Sequence, residues 1–206
     1  MTSSNGIIKV LSAARFSPYL AANGGDEAAA LRAYTWNIQV SAAFYPLLGL
    51  AEIGLRNAMH DQLHARFHRP DWWSVASLTG NGQLLVKRAR EKAASADADD
   101  VVAQLSLGFW VSLTSRSNDR ALWVPALHKA FPHYSGRRDQ LHLSLVNLLR
   151  LRNRVMHHEP IHRRDLKADH DVLYRVCGYI SADLVTEVAA VDTVPQVLER
   201  RDRQGA

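Results

Sequence analysis

The sequence predicts an all-α protein built as a helical bundle. Three observations support this: apolar residues recur at helical spacing over long stretches, glycine and proline clusters separate these stretches, and no stretch shows the sustained period-two alternation of strands. The 206 residues, 47% hydrophobic and 22% charged, suffice for one sizeable core and exclude a largely disordered chain. We therefore expect a single α-helical domain over residues 1–206.

The first long helix is expected over residues 27–67. The break at residues 23–26 ends in Asp26, which can cap the helix that follows. Pro46 is expected to kink this tract or to break it into two helices. The longest uncharged window, residues 33–51, contains amides, a serine and a proline, so we interpret it as buried helix and expect no membrane partner.

Shorter helical elements are expected next along the chain. Residues 80–82 predict a turn, and residues 83–96 have the Lys, Arg, Glu and Ala content of an exposed helix. Residues 101–115 and 120–131 are expected to form shorter helical pieces.

Two further helices complete the expected bundle. The second long helix is predicted over residues 137–158, where Pro160 stops it. A third is predicted over residues 166–191, and residues 199–206 are expected to form a frayed tail.

The charge distribution indicates a polyanionic partner, RNA or DNA. The chain has 25 Lys and Arg against 20 Asp and Glu, a net charge of +5. Residues 150–167 hold two acidic side chains, Glu159 and Asp165, against six basic ones, which are Arg150, Arg152, Arg154, Arg163, Arg164 and Lys167. A solvated helix end is the alternative explanation for the outer arginines.

The number of cysteines and the N-terminal residues indicate the cellular compartment of the protein. The lone Cys177 excludes a disulfide framework and a Cys-rich zinc module, and it suits a reducing compartment. The first ten residues have no long apolar stretch and no evident cleavage site, so we expect no secretory signal. The sequence therefore predicts a cytoplasmic protein.

An arginine lies on the apolar face of the helix predicted over residues 137–158. That face consists of Leu141, Leu145, Leu148, Leu149, Val155 and Met156, and Arg152 shares it. Because an unpaired buried charge is costly, Arg152 must either be paired or line a cavity. From the periodicity alone, the favoured interpretation is that Arg152 reaches the edge of the face or pairs with a buried carboxylate.

Two polar residues close to Arg152 suggest a composite site. Asn153 and His157 are four residues apart and share a helix face. Arg152 and His157 are separated by about 140° around the helix, so one helix brings them together only through the reach of the arginine. A second copy of the helix across a two-fold axis supplies the partner residue more easily, which favours a homodimer.

The string LRNRVMHHEPI at residues 151–161 resembles the motif of abortive-infection (Abi-like, AbiD/AbiF-type) proteins, a branch of the HEPN ribonuclease superfamily. The superfamily's Arg, Asn and His fall on Arg152, Asn153 and His157. Further segments are similar to landmarks of this family, in the family's order, and the resemblance covers about residues 34–161. These segments are residues 34–63, the pair Trp72 and Trp73, residues 105–116 and residues 122–132.

The resemblance implies a HEPN-like helical bundle with additional helices and a metal-independent endoribonuclease without cofactors. It implies a homodimer that acts on RNA as a toxin-like effector of phage defence, with an antitoxin or a regulatory RNA as a further partner. In this interpretation His157 is the general base or acid, Arg152 stabilises the transition state, and Asn153 orients the phosphate or His157. The products carry 2′,3′-cyclic phosphate and 5′-hydroxyl ends.

A second polar cluster lies in the first long helix. Glu52, Arg56 and His60 are spaced four residues apart on one face. An ion pair between Glu52 and Arg56 within the helix is the simpler interpretation. Because this tract matches a family landmark, we prefer a supporting role, with Arg56 beside Glu52 and with Glu52 paired to an arginine or histidine of the site.

Other residues near the motif have predicted supporting roles. His158 and Glu159 are expected to hold the helix end and to position His157. We expect no metal site, because Pro160 breaks the helical geometry that a pair of histidine ligands requires. The alternative to an enzyme is a non-catalytic α-helical module that binds RNA or another protein. The residues expected to bind RNA are Arg150, Arg154, Arg163, Arg164 and Lys167.

Overall fold

A computed structural model describes residues 9–203, and in that part of the chain the backbone forms helices and turns without strands. The predicted all-α class is confirmed. From Ser12 onward the α-helices are, in order, α1 (Ala13–Ala22), α2 (Glu27–Phe67), α3 (Gly80–Lys92), α4 (Ala98–Gln104), α5 (Leu107–Leu113), α6 (Arg138–Met156), α7 (Leu166–Ile180), α8 (Ala182–Ala190) and α9 (Val194–Arg203).

Helix α2 is the central element of the bundle. It packs against α1 and against α5 to α9. Asp26 caps it as predicted, since its Oδ1 accepts hydrogen bonds from the N–H groups of Ala28 at 2.9 Å and Ala29 at 3.0 Å. Buried apolar residues line its inner face over most of its 41 residues. Helix α2 therefore provides the surface on which the other helices assemble.

Of the two outcomes predicted at Pro46, a kink or a break, the break is wrong, because α2 continues through this residue. A proline inside a helix costs about 3 kcal/mol. Phe44, Leu47 and Leu48, which flank it, are fully buried. Burying each of these side chains contributes about 1.5–3 kcal/mol, so together they outweigh the cost of the proline.

Helix α2 also meets a simple criterion for a membrane span. By length and composition it is long and apolar enough, with a mean hydropathy of 1.4 in its most apolar window. The buried helix of a soluble protein meets the same criterion, and 44% of this window is buried. The predicted lack of a membrane partner and the cytoplasmic location stay predictions.

Buried apolar residues form one large core and one small, separate cluster. The large core includes Trp72, Phe109 and Trp110, which contact one another through their rings. The small cluster consists of Phe16 and Tyr19 of α1 and Ala30 of α2, with partly buried neighbours around them. Helix α1 thus attaches to α2 through its own apolar contacts rather than through the main core.

Between α3 and α5, local capping overrides two sequence predictions. Residues 80–82 do not form a separate turn but begin α3, where Thr79 Oγ1 accepts a hydrogen bond from the N–H of Gly82 at 3.2 Å. Residues 101–115 do not form one helix, since α4 ends at Gln104 and Ser106 caps α5. Capping side chains of this kind satisfy the free N–H groups of a new helix start.

Two more helix predictions need correction. Residues 120–131 form short π and 3₁₀ turns, Asp119–Trp123 and Leu127–Ala130. Residues 166–191 form two helices, because Ser181 has extended backbone angles and its side chain accepts the N–H of Asp183. Residues 199–203 continue α9, whereas residues 204–206 of the predicted frayed tail lie outside the described residues.

Candidate functional site

Arg152 lies near the end of α6 and forms an ion pair with Glu52 of α2. Its Nε donates to Glu52 Oε2 at 3.0 Å and its Nη2 to Oε1 at 3.5 Å. The two side chains are 27% and 21% exposed, so the pair is partly buried. Nη1 of Arg152 also donates to Asn153 Oδ1 at 3.4 Å. Glu52 therefore contacts an arginine of the motif, as the sequence analysis expects.

The helical spacing of α6 explains why Arg152 faces α2. Arg152 lies one turn after Leu148, at the flank of the buried face, where α6 packs on α2. A carboxylate from α2 neutralises the charge that this position brings toward the core. The buried face of α6 runs through Leu141, Leu145, Leu148, Leu151 and Val155.

His157 caps the C-terminal end of α6, and its side chain is exposed. Its N–H donates to the carbonyl of Asn153 at 2.9 Å. His158 has a left-handed backbone, with φ of 55°, and the N–H of Glu159 donates to the carbonyl of Arg154 at 2.8 Å. His158 and Glu159 thus end the helix by backbone geometry, before Pro160 is reached.

An open cleft of about 490 Å³ borders His157. Nη1 of Arg15, from α1, donates to the carbonyl oxygen of His157 at 3.3 Å and to that of His158 at 3.4 Å. Arg152 and Asn153 do not line this cleft. The lining residues are Ala14, Arg15, Pro18, Tyr34, His157, His158, Glu159 and Pro160.

Arg15 is a residue of this region that no sequence pattern predicts. It lies 142 residues before His157, and the N-terminal segment carries no motif that marks it. A long-range contact to a backbone carbonyl leaves no periodic signal in the sequence.

Within one chain, the two principal motif residues lie in different surroundings. Arg152 contacts Glu52 on the α2 side, whereas His157 borders the cleft beside α1. Among the described residues, no hydrogen bond or ion pair joins the Arg152 and His157 side chains. This separation agrees with the angle of about 140° expected between them on one helix.

The remaining members of the α2 cluster do not join Arg152. Nε of Arg56 donates to Asn57 Oδ1 at 3.1 Å rather than to Glu52. His60 is buried, and its Nδ1 accepts a hydrogen bond from Trp72 Nε1 at 3.1 Å. Burial lowers the pKa of His60. His60 therefore belongs to the core, and only Glu52 of this cluster reaches the motif.

Internal contacts engage several of the basic side chains that the sequence predicts to bind RNA. Arg164 forms a two-pronged ion pair with Asp169, with both distances 2.6 Å. Nη1 of Arg154 donates to the carbonyl of Pro160 at 3.0 Å, and Nη2 of Arg163 donates to that of Pro18 at 3.4 Å. The side chains of Arg154 and Arg163 nevertheless stay largely exposed.

Arg150 and Lys167 are exposed as well. Nε of Arg154 lies 4.0 Å from Glu159 Oε2 in a half-exposed ion pair, which compensates part of its charge. Arg150, Arg163 and Lys167 therefore carry most of the charge that is left for a polyanion. The carboxylate of Asp169 neutralises Arg164, and that of Glu52 neutralises Arg152. The basic surface is therefore smaller than the count of basic residues in 150–167 suggests.

The histidines around the motif do not form a metal-binding group within residues 9–203. No cluster of three or more His, Cys, Asp or Glu side chains in this range is arranged to hold a metal ion. His162 lies apart from the motif histidines, with its ring packed on that of Tyr19 at 4.8 Å between centroids. The predicted absence of a metal and of cofactors stays a prediction.

The candidate residues thus lie in two places: an arginine is held by a carboxylate on the α2 side, and an exposed imidazole at a helix end borders the cleft together with a second arginine. A fixed guanidinium can bind a phosphate, and an exposed imidazole can accept or donate a proton. No protein-family model matches the chain, and no curated protein and no solved structure matches it significantly.

Proposed function

We propose that this chain is a metal-independent endoribonuclease of the HEPN type that acts as a toxin-like effector of phage defence. One observation carries the proposal. Arg152 of α6 pairs with Glu52 of α2, and α6, the helix of Arg152, ends in the exposed His157. A guanidinium of fixed orientation and an exposed imidazole are the two kinds of group that cleavage of a phosphodiester requires.

The proposed reaction is attack of a ribose 2′-hydroxyl on the adjacent phosphate. The 2′-oxygen forms a bond to phosphorus, the bond to the 5′-oxygen breaks, and the products carry 2′,3′-cyclic phosphate and 5′-hydroxyl ends. One proton leaves the 2′-hydroxyl for a base and another passes from an acid to the leaving 5′-oxygen. His157 carries out one of these two transfers and water carries out the other. Arg152 stabilises the additional negative charge on the phosphate, and Asn153 orients the phosphate or His157.

Two features support a homodimer with a composite site. In one chain Arg152 and His157 face different surroundings, so a second copy can bring the Arg152 of one protomer to the His157 of the other. Helix α2 also exposes large apolar side chains, since Ile38, Tyr45 and Ile53 are 42%, 59% and 48% exposed. Apolar side chains exposed along one helix are typical of a contact surface between proteins.

The test is end-group analysis of RNA treated with purified protein in the presence of EDTA. We expect cyclic phosphate and 5′-hydroxyl ends from the wild type, and rates at least about 100-fold lower for Arg152→Ala and His157→Ala. His133→Ala is the matched control, because His133 is also exposed but lies outside the motif. This control should cleave at the wild-type rate.

Other outcomes separate this proposal from its alternatives. Activity that disappears with EDTA contradicts the metal-independent mechanism and indicates a metal hydrolase. Salt-sensitive RNA binding without cleavage indicates instead a non-catalytic RNA-binding module. Equal rates for the wild type and His157→Ala contradict the assignment of His157.

A further inference from the structure

A buried asparagine of α2 contacts the chain segment that follows His157. Asn37 is only 1% exposed. Its Oδ1 accepts hydrogen bonds from the N–H of Ile161 at 2.8 Å and from the N–H of His162 at 3.3 Å. These partners lie 124 and 125 residues away along the chain, so Asn37 joins two distant parts of it.

The segment over residues 157–162, here called the post-helix turn, is held at both ends. At its start, the N–H of His157 donates to the carbonyl of Asn153. Near its end, Ile161 is fully buried and its N–H donates to Asn37. Between them Pro160 has a fixed φ, and its carbonyl accepts a hydrogen bond from Arg154.

The post-helix turn lies outside the helices, so no regular backbone hydrogen bonds satisfy all of its N–H groups. Buried backbone N–H groups need a partner, and the side chain of Asn37 supplies one for two of them. The contact uses Oδ1 alone, and Nδ2 of Asn37 has no hydrogen-bond partner in the described chain. Asn37 therefore acts here as an acceptor.

We propose that Asn37 is a positioning residue that fixes the imidazole of His157 by anchoring the post-helix turn. The anchored Ile161 is the fourth residue after His157, and the rigid Pro160 lies between them. A movement of Ile161 therefore also moves His157, the residue at which the chain leaves α6. The effect on catalysis rests on the proposed function, whereas the effect on the position of His157 does not.

The experiment compares two variants of Asn37 with a matched control. Asn37→Leu has a similar volume but no acceptor, and Asn37→Asp keeps an acceptor oxygen. The control is Asn118→Leu, because Asn118 is also buried and its Nδ2 donates to the carbonyl of Ser112 at 3.0 Å.

The control residue lies far from the post-helix turn. Its chain neighbour Asp119 forms an ion pair with Arg138, the first residue of α6, at 2.9 Å. The 19 residues of α6 separate the two ends of that helix by about 27 Å. A general loss of stability should therefore appear in both variants, whereas a displaced His157 should appear only in Asn37→Leu.

Two readouts are measured for each protein. The first is NMR of the Ile161 amide exchange rate and of the His157 imidazole signals, which needs no activity. For Asn37→Leu we expect exchange at least about 10-fold faster and shifted His157 signals. The second is cleavage of RNA, for which we expect kcat about 10- to 100-fold lower with KM within about twofold.

Asn37→Asp should restore both readouts toward the wild type, and Asn118→Leu should leave the His157 signals and the cleavage of RNA unchanged. A folded Asn37→Leu protein with wild-type Ile161 exchange and His157 signals would overturn the proposal. Equal effects of Asn37→Leu and Asn118→Leu would overturn it as well, because the role of Asn37 would then be structural only.

The proposal can also be tested if a variant does not fold or if the wild type is inactive. If Asn37→Leu does not fold, Asn37→Ser replaces it, because the short hydroxyl cannot accept from both N–H groups. If the wild type does not cleave RNA, the proposed function fails, and the NMR readout still decides whether Asn37 positions His157.

Discussion

The Glu52–Arg152 ion pair should contribute measurably to stability. A fully buried ion pair costs about 3–5 kcal/mol when one partner is removed, whereas an exposed pair contributes about 0–1 kcal/mol. The two side chains are 27% and 21% exposed and share one short and one long hydrogen bond. We therefore expect Glu52→Gln or Arg152→Gln to lower the free energy of unfolding by about 1–2 kcal/mol.

The assay is a double-mutant cycle by urea unfolding of the wild type, the two single variants and the double variant. The expected coupling energy is about 1 kcal/mol, and the expected loss of Tm is about 2–8 °C for each single variant. The matched control is the Arg137–Asp139 pair, which has a similar distance of 3.0 Å but is 81% and 43% exposed. Its coupling energy should be clearly smaller, because solvent screens it.

A coupling energy for Glu52 and Arg152 no larger than that of the control pair would refute this reasoning. It would mean that burial does not strengthen the contact and that Glu52 does not hold the guanidinium. The same variants bear on the proposed reaction, because Glu52→Gln keeps Arg152 but weakens the hold on its orientation. Its rate of RNA cleavage should fall between those of the wild type and Arg152→Ala.

Two predictions concern pH. Burial, above all, lowers the pKa of His162 below its ordinary value of 6.5, so the neutral form favours folding and stability falls as pH drops below 6.5. His162→Phe keeps a ring against Tyr19, and its Tm should fall less than that of the wild type between pH 7 and pH 5; an equal fall would contradict this. Burial opposes ionisation of Asp192, yet hydrogen bonds, including those from His170 and Tyr174, hold its pKa below the ordinary 3.8. At pH 7 the free energy of unfolding in urea should therefore be lower for Asp192→Asn than for the wild type, and this difference should become smaller below pH 3.8. A difference that stays constant with pH would exclude the ionised carboxylate as its cause.

Local patterns were sufficient to predict helix α6. The apolar spacing predicts a helix over residues 137–158, and the structure has Arg138–Met156. The prediction succeeds because each signal is local: the apolar residues define the face, and Pro160 bars the helix from continuing beyond the left-handed His158 that ends it. The same locality explains why the sequence left a break at Pro46 open, since the long-range burial of neighbouring side chains keeps the helix continuous there.

The contacts that hold the site were harder to predict. Asn37 joins Ile161 over 124 residues, and Arg15 contacts His157 over 142. No periodicity encodes such pairs. One signal was present, since a polar side chain in an otherwise apolar helix must find a partner once it is buried. That signal marks Asn37 as a residue with a partner but does not identify the partner.

The pairing of Arg152 with Glu52 leaves the arginine able to bind a phosphate. A guanidinium has five N–H donors. Two of them contact Glu52, and a third contacts Asn153 at 3.4 Å. The other two donors have no hydrogen-bond partner within residues 9–203, and the carboxylate fixes the plane in which they point.

Because this orientation is set before a ligand arrives, binding of a phosphate to those donors loses less conformational entropy than binding to a freely moving arginine. Glu52 also lowers the net charge of the site, which by itself weakens the attraction of a polyanion. Its two effects therefore oppose each other in binding, whereas in the proposed cleavage we expect the fixed orientation to be the larger effect. Loss of the carboxylate in Glu52→Gln should accordingly weaken cleavage of RNA more than it weakens RNA binding, and equal losses in both would mean that Glu52 does not orient Arg152 for the reaction.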